Sequence, residues 1–376
     1  MKNKIPLCIP YIDNEDINGV VEVLKTGWFA HGPKNIEFEK KFKEYIGVEH
    51  AISMNSCTAA LFLALLANNI KGEVILPSFT FVASANAVIT AGAVPVFADI
   101  EYDTCNIDPD KIEELITPQT EAIMVVHYGG SVCNMDKILK IANKHNLLII
   151  EDSAETLGGT YKNRKSGSFG DVGCYSFFPT KNITTGEGGM LTTNNSGIAQ
   201  KVRALLAHGI DSTTYDRENQ NKKWYRSAYY PGYNFRLSNI LACLGVTQLD
   251  KIELLNEKRI QIANKYLRRL QNVKNIKITI PGPEVKSVYQ MFTIKVKKNI
   301  RDKVVSELNV RNIGASVHFD PPVHRQYFYK NKYNFEDLKV TEEVASTIIS
   351  LPIYPSMNLK EVDFVCDNII DVLLRD

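Results

Sequence analysis

The chain has 376 residues, of which 44% are hydrophobic and 23% are charged, and its formal net charge at pH 7 is +2. This composition is ordinary for a globular enzyme with one large and one smaller domain, and the charge balance gives no reason to expect nucleic acid or a membrane as partner. The first residues lack a signal-peptide pattern, and the seven cysteines are scattered without a C-x-x-C pair. We therefore expect a reduced, cytoplasmic protein without a metal site.

Short runs rich in valine and isoleucine alternate with helix-like segments through the first 200 residues. Strands are predicted at residues 73–77, 94–100, 122–127 and 147–153, and helices at residues 58–69, 82–92 and 135–146. This alternation predicts βαβ units and a mostly parallel sheet. Ligands of such sheets bind at the carboxyl ends of the strands, which is where Ser78, His127 and Asp152 fall.

The pattern changes after about residue 195. Residues 211–239 are polar and aromatic and predict an irregular excursion, whereas residues 240–271 predict a long helix that bridges two domains. A strand at residues 289–296 and helices at residues 300–312 and 359–376 complete the prediction. We thus expect a large domain at residues 1–245 and a smaller α+β domain at residues 246–376.

Lys181 lies in the stretch YSFFPTKNITTGEGGMLTT, among aromatic, hydroxyl and glycine residues, with no other charge before Glu187. Burial in such a setting favours the neutral amine of a lysine, and a neutral amine can form a Schiff base with an aldehyde. The alternative for a single lysine is a solvated surface position. Other features of the chain have to decide between the two.

Asp152 follows the buried run LLIIE at the carboxyl end of a predicted strand. Burying a carboxylate there costs free energy unless a cation lies beside it. Pyridoxal phosphate requires such a carboxylate to keep its ring nitrogen protonated, so that the ring can withdraw electrons. The alternative is that Asp152 caps the next helix.

Ser56, Cys57 and Thr58 open an Ala/Leu helix directly after a strand-like run. A helix start with hydroxyls and free amides predicts a phosphate site, with ordinary N-capping as the alternative. Phe79 and Phe81 lie just past another strand end. An aromatic ring there can stack on a flat heterocycle, although most phenylalanines belong to the core.

The order of these pieces resembles the DegT/DnrJ/EryC1/StrS family of sugar aminotransferases, from GWFAHGP (27–33) to SLPIYPSM (350–357). The resemblance implies a fold-type I pyridoxal-phosphate enzyme of the aspartate aminotransferase type, with a large mostly parallel α/β domain and a smaller C-terminal α+β domain. It also implies L-glutamate as amino donor, a nucleotide-linked keto sugar as acceptor, and a homodimer with shared active sites. A cyclitol ketone acceptor and a non-catalytic regulatory homologue are the alternatives. Dehydratases of the family have histidine at the lysine position, so Lys181 argues against that chemistry.

The resemblance implies a role for each matching residue of the cofactor site. Lys181 resembles the lysine that binds the cofactor covalently and shuttles the proton, Asp152 matches the partner of the ring nitrogen, and Phe81 matches the aromatic ring stacked on the cofactor. The phosphate contacts match Cys57, Thr58, Ser176 and, from the neighbouring subunit, Asn234. The family more often has glycine where Cys57 stands, which leaves the contact of that residue open.

Glu155 matches a position that faces the cofactor in the family. Relatives that act on 4-keto sugars often carry glutamate or histidine there, and relatives that act on 3-keto sugars more often carry glutamine. The resemblance therefore favours C4 of a 4-keto-6-deoxy sugar as the acceptor carbon. The alternatives are a 3-keto sugar, or a glutamate that only orients the cofactor.

The expected substrate residues lie in three further segments. Trp28 and His31 belong to an N-terminal segment that approaches the substrate in relatives, and His318 and His324 belong to a segment near the sugar site. Arg236 can bind a carboxylate or phosphate. The alternatives are packing for Trp28, a structural role for each histidine, and pairing within a dimer interface for Arg236.

Overall fold

The computed structural model describes residues 4–210, 224, 226–333 and 337–375. Its strands are β1 (His50–Met54), β2 (Glu73–Pro77), β3 (Val94–Ala98), β4 (Thr120–Val126), β5 (Leu148–Asp152), β6 (Thr160–Tyr161), β7 (Arg164–Lys165), β8 (Val172–Ser176), β9 (Gly189–Thr193), β10 (Lys277–Ile278), β11 (Val285–Lys286), β12 (Phe292–Lys295) and β13 (Ile348–Leu351). The helices among these residues are Asn14–Thr26, Pro33–Ile46, Cys57–Ala67, Ala83–Thr90, Pro109–Glu113, Met135–His145, Ser196–Leu205, Asn239–Asp250, Ile252–Leu270, Lys298–Val310, Tyr327–Lys332, Lys339–Thr347 and Leu359–Leu374.

The central sheet has seven strands in the order β1-β9-β8-β5-β4-β2-β3. Neighbours from β3 to β8 pair in parallel, and β9 alone is reversed, because it pairs antiparallel with both β8 and β1. The crossover helices between the parallel strands gather the carboxyl ends of β2, β4, β5 and β8 at one edge of the sheet. The predicted mostly parallel α/β sheet is confirmed.

The helix Cys57–Ala67 forms the largest core together with this sheet. Its residues are apolar on nearly every face, and Leu61, Leu63 and Leu65 are at most 1% exposed. They belong to the same cluster as Leu76 of β2 and Met124 of β4. Burying a leucine contributes about 1.5–3 kcal/mol, so this packing holds the start of the helix firmly against the sheet edge.

A second core lies in the C-terminal part of the chain. The small sheet β10-β12-β13 packs with the helices Ile252–Leu270, Lys298–Val310 and Leu359–Leu374. Tyr266 and Phe292 stack at its centre, with ring centroids 4.7 Å apart. Ile5 near the N-terminus joins this core, which is the smaller α+β unit expected from the sequence.

The long helix expected at residues 240–271 is two helices, because the chain leaves helical geometry at Lys251 (φ −104°, ψ 0°). The Lys251 ammonium lies 2.7 Å from Asp13 and 3.0 Å from Asp16, which ties this break to the first helix of the chain. The expected boundary at residue 245 falls inside Asn239–Asp250. Val246 of that helix packs with Phe38 in the large unit, and the change to the second core comes within the next helix.

The excursion expected at residues 211–239 is described only in part, since residues 211–223 and 225 lie outside the described residues. Its remaining part returns to the large unit through isolated bridges of Ala228 to Ile210, Asn234 to Ala207, and Arg236 to Met54. Among the described residues, we find no helix with the combined length and apolar character that crossing a bilayer requires.

Candidate active site

A cavity of about 440 Å³ opens at the carboxyl ends of the central strands, between the large and the small unit. The sequence-predicted residues that line it are Cys57, Thr58, Phe81, Asp152, Glu155, Ser176, Lys181 and His318. The N-terminal segment and the small unit close the other side with Cys8, Gln290, Phe319 and Ile353. The fold thus brings together residues as far apart in the chain as Cys8 and Ile353.

Lys181 reaches this cavity from the loop that follows β8. Its Nζ lies 3.2 Å from Glu155 Oε1, and the side chains are 17% and 9% exposed. The other Glu155 oxygen accepts a hydrogen bond of 2.9 Å from the Gly129 backbone N–H. Among the described residues, Lys181 is the only lysine that lines the cavity. It is held by the Glu155 carboxylate, which the Gly129 backbone holds in turn.

Glycines shape the loop after Lys181. Gly186 has φ +82°, in the left-handed region that favours glycine. A Cβ on Gly189 would lie 2.4–2.5 Å from the backbone of Ser56 and Cys57. The loop can therefore approach the start of helix Cys57–Ala67 only because residue 189 has no side chain.

Asp152 ends β5 and is 5% exposed. Its Oδ2 accepts a hydrogen bond of 2.8 Å from the Ser84 hydroxyl, and its Oδ1 accepts one of 3.1 Å from the Ala154 backbone. Turns follow it at residues 154–158, so Asp152 does not cap a helix. Burial raises the pKa of this carboxyl, although the Ser84 hydrogen bond opposes the shift. A cation placed beside Asp152 would favour its ionised form.

The start of helix Cys57–Ala67 faces the same cavity. Ser56 is its N-cap and accepts a hydrogen bond of 3.1 Å from Ala59, so the capping alternative holds for this residue. Cys57 is 8% exposed, with its Sγ 3.9 Å from Asp152 Oδ1, and burial raises the pKa of the thiol well above its usual value. Thr58 is exposed at the cavity, where its hydroxyl and the free helix amides can bind an anion.

The two phenylalanines after β2 have different environments. Phe79 is 1% exposed and packs against Tyr128, with ring centroids 5.2 Å apart, so it belongs to the core. Phe81 is 62% exposed and lines the cavity. An aromatic face this exposed in a cavity is suited to cover a flat ring.

The two histidines of the C-terminal segment have different environments. His318 lines the cavity, its Nδ1 lies 2.9 Å from the Ser350 hydroxyl, and burial lowers its pKa, which favours the neutral ring. His324 is 2% exposed, lies outside the described lining of the cavity, and joins Ser78 to Glu342 through contacts of 2.6 and 3.0 Å. The geometry of His324 is that of a structural link between β2 and the helix Lys339–Thr347.

Four other predicted residues do not belong to the described lining of the cavity. Trp28 and His31 contact each other through a hydrogen bond of 3.2 Å from the indole N–H to the His31 carbonyl. Asn234 is exposed, and Arg236 is half-buried beside β1. One copy of the chain therefore does not bring these side chains to Lys181.

Sequence reasoning did not single out Ser84, Gly129, Cys8 or Gln290, all of which contact the residues described above or line the cavity. None stands in a local pattern that indicates chemistry, because each contact joins distant parts of the chain. No group of three potential metal ligands comes together within the described ranges.

The fold and the cavity define a fold-type I, pyridoxal-phosphate-dependent aminotransferase. The model of the DegT/DnrJ/EryC1/StrS aminotransferase family matches residues 10–370, and the chain belongs to this family. The predicted family, fold class and enzyme class are confirmed.

Two relatives and one solved structure illustrate the similarity. The spore coat polysaccharide biosynthesis protein SpsC of Bacillus subtilis is 39% identical over 98% of this chain and 97% of its own. GDP-perosamine synthase of Caulobacter vibrioides is 38% identical over 99% of both chains. The structure of Helicobacter pylori PseC, an aminotransferase involved in the biosynthesis of pseudoaminic acid, has a TM-score of 0.93 and 31% identity over 100% of both chains.

Proposed function

We propose that this aminotransferase moves the amino group of L-glutamate to a nucleotide-linked keto sugar, at C4 of a 4-keto-6-deoxy sugar. The observation that carries the proposal is the joint placement of Lys181, Asp152 and Glu155 in one cavity at the strand ends. The names of GDP-perosamine synthase and SpsC, both similar over nearly their whole length, support a nucleotide sugar and a role in polysaccharide biosynthesis.

The residues of the cavity fit pyridoxal 5′-phosphate. The buried Asp152 carboxyl, whose pKa burial raises, suits a cationic ring nitrogen as its partner. Thr58, Ser176 and the free amides of the helix start suit the phosphate, and the exposed Phe81 suits the ring face. When bound, this cofactor supplies an electron-withdrawing ring that stabilises negative charge on a substrate carbon.

Lys181 Nζ is the group that moves the proton in our proposal. Lys181 lies on the loop after β8, and its backbone N–H donates to the Phe178 carbonyl at 2.9 Å. Glu155 Oε1 accepts from Nζ at 3.2 Å and keeps the amine within the cavity. A positioned general base of this kind contributes about 10²- to 10⁴-fold to the rate.

Glu155 also supports the choice of acceptor carbon. It is 7% exposed and lines the cavity, so a sugar that reaches Lys181 meets its carboxylate. An ionised carboxylate only accepts hydrogen bonds, whereas an amide both donates and accepts. We infer that this acceptor favours a 4-keto sugar with hydroxyl donors around the ring.

The charges of the cavity support an active site shared in a homodimer. Its described lining has the carboxylates Asp152, Glu155 and Glu187, against Lys181 and a His318 whose lowered pKa favours neutrality. L-Glutamate brings two carboxylates, and the nucleotide and cofactor bring phosphates. Additional cationic and polar groups are needed to bind these negative charges. We propose that Asn234 and Arg236 of a second copy supply them.

An exposed apolar stripe on the helix Asn14–Thr26 supports the same assembly. Ile17, Val21 and Leu24 are 53%, 40% and 49% exposed and recur at spacings of four and three residues, on one face of the helix. Large apolar side chains in such a stripe are typical of a protein–protein contact. A second copy of the chain is the partner that the charge argument requires.

The test of the proposed function offers the enzyme L-glutamate with a 4-keto or a 3-keto 6-deoxy nucleotide sugar, and NMR locates the new amine. We expect efficient amination at C4 and formation of 2-oxoglutarate in equal amount. Amination at C3 with none at C4 would contradict the choice of carbon. Amination of a cyclitol ketone, with no reaction of either sugar, would contradict the substrate class.

A further inference from the structure

A chain of two buried hydroxyls ends at Asp152. Ser84, in the first turn of the helix Ala83–Thr90, donates a hydrogen bond of 2.8 Å to Asp152 Oδ2. The Thr80 hydroxyl lies 2.9 Å from the Ser84 hydroxyl. Thr80 and Ser84 are 2% and 1% exposed. The segment after β2 therefore reaches the end of β5, although β4 separates these two strands in the sheet.

The chemistry of a hydroxyl fixes the direction of this chain when Asp152 is ionised. A hydroxyl has one proton to donate, and an ionised carboxylate only accepts hydrogen bonds. Because Ser84 gives its proton to Asp152, the short contact with Thr80 is a hydrogen bond that Thr80 donates. The Phe81 carbonyl is the other acceptor within reach of the Ser84 hydroxyl, but it lies 3.4 Å away. Thr80 thus supports Ser84 as the donor to Asp152.

This donor acts on the charge of Asp152. Burial is the largest influence on the pKa of the carboxyl and raises it, and the Ser84 hydrogen bond is the strongest influence that lowers it. The Ala154 backbone N–H, which donates to Oδ1 at 3.1 Å, is the next strongest. Each carboxylate oxygen therefore has one donor from the protein, and both donors favour the ionised form.

The other titratable groups around Asp152 contribute less. Glu155 raises the pKa of Asp152 and Lys181 lowers it, so their effects oppose each other. Cys57 Sγ lies 3.9 Å from Oδ1, and burial raises the pKa of this thiol well above its usual value, which favours the neutral form. Ser84 is thus the side chain that does most to keep Asp152 ionised.

We propose that Ser84 is a positioning residue, which holds Asp152 ionised and oriented for the ring nitrogen of the bound cofactor, with Thr80 as the donor behind it. The inference rests on one part of the proposed function, the assignment of Asp152 to the ring nitrogen, and does not depend on the acceptor sugar. Phe81, which is suited to cover the ring face, lies between Thr80 and Ser84 in the chain. One short segment then serves both the face and the nitrogen of the ring.

The test loads the enzyme with pyridoxal phosphate that carries ¹⁵N in its ring, and NMR reports whether this nitrogen is protonated. Ser84→Ala removes the donor and raises the pKa of Asp152, so the carboxylate competes more strongly for the proton. The resonance should therefore move towards that of an unprotonated ring. We expect kcat to fall by about tenfold or more, because a hydrogen bond to a charged group is lost, with KM close to the wild-type value.

Two further variants grade the effect. Ser84→Cys keeps a side chain of similar size with a weaker donor, so its ¹⁵N resonance should fall between those of the wild type and Ser84→Ala. Thr80→Val removes the donor behind Ser84 and leaves the Ser84 hydroxyl in place. It should shift the resonance in the same direction as Ser84→Ala, but by less.

Ser166→Ala is the matched control. Ser166 is 0% exposed and its hydroxyl donates to the Thr156 carbonyl at 2.8 Å, but it lies outside the described lining of the cavity. This variant should lose stability and keep the wild-type resonance and kcat. It separates the loss of a buried serine from the loss of the donor to Asp152.

The outcomes that overturn the proposal differ from those that overturn the assignment of Asp152. If Asp152→Asn moves the ¹⁵N resonance but Ser84→Ala and Ser84→Cys leave it at the wild-type position, Ser84 does not control the charge of Asp152. An equal shift in Ser166→Ala and Ser84→Ala would also overturn the proposal. If Asp152→Asn leaves the resonance unchanged, Asp152 is not the partner of the ring nitrogen, and this inference falls with that assignment.

Discussion

Replacing Glu39 with glutamine is expected to lower the free energy of unfolding by about 3 kcal/mol at pH 7. Glu39 is 7% exposed and accepts hydrogen bonds from the Ser53 backbone and hydroxyl at 2.8 and 2.9 Å. Arg203 lies 2.7 Å from its other oxygen, and His31 is 3.9 Å away. The carboxylate therefore joins two helices to β1, the strand that leads into the candidate phosphate site.

The magnitude follows from the pKa of this carboxyl. Burial by itself raises the pKa, but His31 and the charge of Arg203 outweigh burial and lower it from 4.5 to about 2. That difference corresponds to about 3 kcal/mol, present in full above pH 4.5 and lost as the pH falls through about 2. At pH 3 about half of the stabilisation should remain.

The assay is urea denaturation of the full-length protein at fixed protein and cofactor concentrations, from pH 3 to pH 7. Glu37→Gln is the matched control, because Glu37 lies on the same helix and pairs with Lys34 at 2.7 Å but is 40% exposed. An exposed ion pair of this kind contributes about 0–1 kcal/mol to the free energy of unfolding. Equal losses for the Glu39 and Glu37 variants, or a loss for Glu39→Gln that does not shrink towards pH 3, would refute the reasoning.

Three further predictions concern the active site. Lys181→Ala should abolish turnover and leave the cofactor bound without a covalent link; borohydride reduction and peptide mapping of the wild-type enzyme test this, and a label on another lysine would contradict it. Asp152→Asn should lower kcat by about 10²-fold or more and shift the absorbance of the bound cofactor, because an amide does not keep the ring nitrogen protonated; an unchanged spectrum and rate would argue against the assignment. Mixing Lys181→Ala with an impaired Asn234→Ala variant should restore activity once subunits exchange, and no recovery despite measured exchange would argue against a shared site.

The strands that position the site could be predicted from the sequence alone. β2 has the predicted bounds, and the predicted strand at residues 122–127 overlaps β4 closely, because buried parallel strands are short runs of valine and isoleucine bounded by turns. The break at Lys251 could not be predicted in the same way. The residues on both sides favour helix, and the contacts of Lys251 with Asp13 and Asp16 join positions more than 230 residues apart.

The sequence by itself determined the family, and it singled out Lys181 and Asp152 as the candidate residues for the chemistry, because that chemistry demands these residue types next to recognisable strands and glycines. Tertiary structure alone decided which residues contact these side chains and which residues line the cavity. It pairs Glu155 with Lys181, places His318 in the cavity and His324 outside its described lining, and brings Gln290 to Thr180. A hydrogen bond has no preferred separation along the chain, so contacts across 26 residues, as between Glu155 and Lys181, or across 110, as between Gln290 and Thr180, leave no local pattern and exist only once the chain has folded around the cavity.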